Sequence, residues 1–93
     1  MDVQSLKIIT SLKTARTALG WTQQALAEKS GVALVTIARM ESGMMSPRLS
    51  TLSKLKTVLA DAGVRIVDES PAGGFSLFVD GKVFETESVV TNK

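Results

Sequence analysis

Between Thr22 and Gly43 the chain reads "TQQALAEKSGVALVTIARMESG", and its glycines cut that stretch into two helical pieces of about two turns each. No other feature restricts the fold so much. A helix that short is marginal alone, so each piece must lie against a neighbour. Thr22 suits an N-cap, because its hydroxyl can accept from a free backbone N–H of the first turn. Ala25, Leu26 and the stem of Lys29 turn one face of the first piece toward a core, and Gly31 breaks it. Ile37 and Met40 mark the buried side of the second piece, and Gly43 stops it. Ala27 is small where the two pieces approach, and Val32 and Ile37 close the core beneath them. Two short helices joined by a tight glycine turn make a helix-turn-helix.

The flanking sequence supplies what those pieces pack against. Leu6, Ile9, Leu12, Ala15 and Leu19 recur at helical steps, with Asp2 as the start and Gly20 as the stop. "MMSP" is a connector. Ser50 is expected to cap a further helix whose stripe is Leu52, Leu55, Val58 and Leu59, ended by Gly63. There the period changes. "VRIVDE" is short and β-branched, "PAGG" is a turn cluster, and Asp80-Gly81 between "FSLFV" and "KVFET" is a two-residue hairpin signal. "TNK" reads as a frayed end. The expectation is a mainly α chain: four helices over residues 1–63, then about three short C-terminal β-strands over residues 64–93.

Composition removes most chemistry. The chain has 93 residues, without cysteine or histidine, enough for one small domain. Disulfides, the usual zinc sites and Ser-His or Cys-His catalysis are therefore excluded. No nucleophile with a base, phosphate loop or metal cluster is visible, so no enzyme and no cofactor is expected. No apolar run reaches the ~18 residues of a membrane span. "MDVQSLKIITSLK" lacks the apolar block of a secretory signal, so a cytoplasmic location is the default expectation. Charge is uneven: residues 1–63 carry eight Lys/Arg and four Asp/Glu, while residues 64–93 carry three and five. A polyanion responds to that local excess of positive charge.

The stretch "LKTARTALGWTQQALAEKSGVALVTIARMESGMMSP" resembles the phage-repressor and Cro type of helix-turn-helix, the XRE family. The likeness is carried by Arg16, Gly20, Thr22-Gln23, Leu26-Ala27, Gly31-Val32, Thr36-Ile37, Glu41, Gly43 and Pro47, and spans roughly residues 6–62. It implies a repressor-like helical domain that binds double-stranded DNA. On that resemblance, Ala33, Leu34, Val35 and Arg39 take the base-reading positions. Thr22, Gln23, Lys29, Thr36, Ser42 and Arg48 take the positions that face the DNA backbone. Gln23 can reach a phosphate or a neighbouring recognition side chain, and Thr36 faces the backbone or the core edge. Arg16 and Glu41 match a buried ion pair that links the first helix to the end of the recognition helix.

The chain departs from the family pattern where reading occurs. Members commonly carry Ser, Arg, Gln or Lys there; this chain has Ala, Leu and Val, and Met44-Met45-Ser46 follows Gly43. Leu34 and Val35 either pack on thymine methyl groups or form a second hydrophobic face against a partner or the C-terminal strands. DNA shape and phosphate contacts are the other source of specificity, with Arg39 as the polar reader. Trp21 suits the staple position before the Thr22 cap. Met44 and Met45 are loop residues that tuck partly into the core or mark a protein-binding surface.

The strands also need a partner, because a small sheet buries little alone and its edges invite pairing. Either they fold back on their own helices, or they join two copies about a two-fold axis, spacing two recognition helices for a palindromic site. The resulting expectation is a homodimeric, sequence-specific DNA-binding regulator that acts as a repressor. One alternative is the antitoxin of a toxin–antitoxin pair, whose acidic tail holds a toxin protein. The other is a protein-interaction module without DNA binding.

Overall fold

The computed structural model describes residues 2–68 and 73–85. Helix α1 (Val3–Ala18) starts at Asp2, whose carboxylate accepts the Ser5 N–H at 2.7 Å. Its buried face is Ile9, Leu12 and Ala15, with Ser11, whose hydroxyl donates to the Ile8 carbonyl at 2.8 Å. Leu6, expected on that face, is 57% exposed: burial begins one turn later, at Ile9, and the first turn projects past the core. Helix α2 (Gln23–Ser30) follows the Thr22 cap, with Thr22 Oγ1 accepting from Ala25 N at 3.0 Å. Gly31 closes it at φ 76°, a left-handed conformation that favours glycine.

Helix α3 (Leu34–Glu41) and helix α4 (Leu49–Ala62) complete the helical layer. Ser50 does not cap α4. Pro47 precedes an extended Arg48 (φ −76°, ψ 157°), and the Arg48 carbonyl takes the Leu52 N–H at 2.9 Å, so the helix begins at Leu49. Leu12, Leu26, Ile37, Met40, Leu55 and Leu59 have no accessible surface and draw on all four helices. Each such side chain contributes about 1.5–3 kcal/mol of burial, which is how two-turn helices are held.

Val64 joins that core, and from it runs β1 (Val64–Val67), antiparallel to β2 (Ser76–Val79). Val64 opposes Val79 and Ile66 opposes Leu77 on the face toward α1 and α4. Arg65 opposes Phe78 on the other face, its guanidinium 4.7 Å from the ring centre. The strands therefore fold back on their own helices. Asp68 fastens the end of β1: it pairs with Lys56 at 2.7 Å, and its carbonyl takes Lys7 Nζ at 3.3 Å.

The expected third strand is absent among the described residues, where residues 82–85 are helical. Asp80 and Gly81 do not form the tight hairpin. Gly81 lacks the positive φ that a type I′ turn needs, and Asp80 caps the new turn instead, its carboxylate accepting Lys82 N at 2.9 Å. Gly63 explains the preference. It ends α4 at φ 113°, and a Cβ there would lie 2.6 Å from Val83 Cγ2. Its carbonyl accepts Asp80 N at 2.7 Å, while Lys82 Nζ donates to the Asp61 carbonyl at 3.0 Å. A helical turn seats Val83 on the bare glycine and gives the end of α4 a cation. Pro71, Ala72 and residues 86–93, including the "TNK" end, lie outside the described residues. Among the described residues, no helix is long and apolar enough to cross a membrane.

Candidate nucleic-acid interface

The position of α3 follows from its two faces. Ile37 and Met40 are fully buried; Leu34 is 42% and Val35 55% exposed, and Ala33 and Arg39 are also exposed. Val35 and Arg39, four residues apart, share the outward face, and Leu34 lies at its edge, toward the side that buries Ile37. Ala33 is the N-cap and offers no side-chain hydrogen bond. At the other end, the Met44 N–H donates to the Arg39 carbonyl at 2.8 Å and the Ser42 hydroxyl to the same oxygen at 3.0 Å. Both bonds fix the chain as it leaves the helix beneath Arg39.

A buried polar cluster anchors α3 against α1 and α2. Arg16 grips Glu41 through both Nε and Nη2 at 2.8 Å, and its Nη1 donates to the Trp21 carbonyl at 2.7 Å. The two side chains are 11% and 2% exposed. Gln23 Nε2 adds a further bond to Glu41 Oε1 at 2.9 Å. Burial pushes the Glu41 carboxyl up, but hydrogen bonds from Arg16 and Gln23, with the Arg16 charge, outweigh it and hold the group below the ordinary carboxylate range. The expected ion pair is thus in place, between α1 and the last residue of α3.

The positions expected at the backbone divide by what they touch. Thr22 is occupied as the α2 cap, Ser42 as the brace under Arg39, and Gln23 on Glu41. Thr36 is half-buried and, with Met45, Pro47, Arg48 and Thr51, lines a concavity between α3 and the start of α4. Met45 reaches the edge of the core, whereas Met44 stays 76% exposed. Lys29 does not lay its stem into the core: its ammonium sits 5.1 Å from the centre of the Trp21 ring. Among the described residues, Lys29, Arg39 and Arg48 form no ion pair with a carboxylate.

One of the two partners expected for Gln23, a side chain of the recognition helix, is Glu41, 18 residues along the chain; the contact of Lys29 with Trp21 was not expected. The Trp21–Lys29 pair carries a weak signal, since both flank the apolar stripe of α2.

The helix-turn-helix family model matches residues 12–60, from mid-α1 to near the end of α4 and over half of the chain. No curated protein sequence matches the chain.

Proposed function

The chain belongs to the XRE-type helix-turn-helix family, and from that premise we propose that it is a sequence-specific DNA-binding regulator, a repressor acting as a homodimer. The observation that carries this reading is the two-faced α3. Its inner face is locked by Ile37, Met40 and the Arg16–Glu41 pair, and its outer face offers Leu34, Val35 and Arg39.

Base reading is assigned to Ala33, Leu34, Val35 and Arg39. Leu34 and Val35 supply apolar contact for thymine methyl groups, and Arg39 supplies the polar contact, a guanine edge being its best partner. Backbone contact is assigned to Thr22, Gln23, Lys29, Thr36, Ser42 and Arg48. Those contacts set register and affinity without reading sequence. Residues 1–63 are assigned the DNA-binding part and residues 64–93 the dimer contact. The half-exposed Phe78 and Val67 on the outer sheet face support that assignment.

The test is selection of duplexes from a random-sequence pool by the full chain, followed by affinity measurements on the enriched site and on a scrambled control. Enrichment of a palindrome with thymines under the two half-site centres supports the reading. Failure to retain any duplex at low salt would reject it and turn the apolar face toward a protein partner.

A further inference from the structure

Gln23 is the first residue of α2, and Glu41 the last of α3. Their side chains meet at 2.9 Å, with Gln23 Nε2 on Glu41 Oε1. The chemistry of the pair restricts which way round the amide sits. A primary amide has two N–H donors on its nitrogen and an oxygen that only accepts, and an ionised carboxylate only accepts. Glu41 is 2% exposed and bound by two guanidinium N–H groups, which favour its anionic form. A flipped Gln23 would set its carbonyl oxygen against that anion. Among the described residues the second Nε2 N–H has no partner.

We propose that Glu41 is a positioning residue for DNA binding: it fixes the orientation of the Gln23 amide so that Gln23 meets a backbone phosphate as an N–H donor. This rests on the DNA-binding reading and names how one of its contacts is built. A phosphate presents only acceptor oxygens, so the flipped amide would repel it, and a free glutamine would divide its time between the two orientations. With one N–H held by Glu41, the other is preset, and the ordering cost of that side chain is met before DNA arrives. The same bond joins the contacted phosphate, through Gln23, Glu41 and Arg16, to the Trp21 carbonyl. Successive bonds in such a chain polarise one another.

Two variants isolate the effect. Gln23→Met keeps the length and removes both donors; Glu41 keeps its two Arg16 bonds, so the fold should persist. Gln23→Glu sets a carboxylate against both Glu41 and the phosphate. Full-length wild type and both variants are titrated on a duplex selected from a random pool, then on copies with one phosphate at a time replaced by a neutral methylphosphonate. Wild type should show one position per half-site where the replacement costs about tenfold. Gln23→Met should bind the unmodified duplex about tenfold more weakly and be indifferent to that replacement, and Gln23→Glu should bind more weakly still. In ¹⁵N spectra of the wild-type chain, one Gln23 side-chain N–H should be protected without DNA, and the other should shift on adding the duplex.

Binding by wild type without any phosphate coupled to Gln23, or Gln23→Glu binding as well as Gln23→Met, overturns the proposal and leaves the DNA-binding reading standing. Two equally exchanging Gln23 N–H groups in the free protein overturn it as well. Failure of wild type to bind any duplex overturns both.

Discussion

Replacing Arg16 by methionine removes the centre of the frame that holds α3. Methionine keeps much of the stem and none of the five guanidinium donors. Glu41, 2% exposed, is left with Gln23 alone, and the Trp21 carbonyl loses its donor. Stranding one member of a buried pair costs about 3–5 kcal/mol. A domain of this size is stable by roughly 5–15 kcal/mol, so the loss is a large share of the whole. The pH dependence should also change. In the intact protein Glu41 is held below the ordinary carboxylate range. Its contribution is therefore complete above that range and is lost as pH falls through the lowered value. Without Arg16, burial dominates and raises the carboxyl above its ordinary value, so the variant gains stability as pH falls from about 7 to about 5. The chain has no histidine, which leaves few other groups titrating in that window. Urea unfolding followed by emission of the single tryptophan, Trp21, reads both effects. Arg16→Met with Glu41→Met should recover much of the loss, because apolar replacement leaves no stranded charge. A loss under about 1 kcal/mol at neutral pH, the value of an exposed pair, would mean that Glu41 is not stranded in the variant. So would a variant no more stable at the lower pH.

Gly63→Ala should cost about 2 kcal/mol in urea unfolding, since the residue must hold φ 113° and its Cβ would displace Val83; an unchanged midpoint would mean that the 82–85 turn does not rest there. Arg39→Ala should relax base preference at one position of the selected site, whereas Lys29→Ala should weaken all sequences alike, as read by binding to a panel of single-base variants. Thymine-to-uracil replacement, which removes only the methyl group, should weaken wild type and leave Leu34→Ala nearly indifferent at one position, as measured by a binding cycle. Phe78→Lys, on the outer sheet face, should shift sedimentation from dimer to monomer with little loss of fold; a dimer that persists would place its contact elsewhere.

The helical part of the chain was legible because its punctuation is local. Asp2, Thr22, Gly31 and Gly63 mark ends by capping chemistry that needs no tertiary information, and each stands where the structure places it. Ser50 misled because a good capping residue competes with what Pro47 dictates, and the Arg48 carbonyl started the helix first. The Asp80-Gly81 hairpin signal failed for a long-range reason: the groove that draws Val83 inward is made by Gly63, 20 residues earlier in the chain, and no local pattern contains it. The site divides in the same way. The outward face of α3 and the Arg16–Glu41 pair follow from helical spacing and the family resemblance. The Gln23 bond to Glu41 and the seat of Lys29 on Trp21 depend on how the helices are set in space.

If the exposed side of α3 meets DNA, affinity must depend steeply on salt. Lys29 and Arg48 of each copy, neither paired with a carboxylate among the described residues, would give a dimer about four phosphate contacts. The duplex selected from a random pool is titrated with the full chain across a salt series. Affinity should fall by about two decades between roughly 50 and 200 mM salt, as released counterions require. Binding that is flat across that range, or no binding at its lower end, would mean that α3 does not face a phosphate backbone.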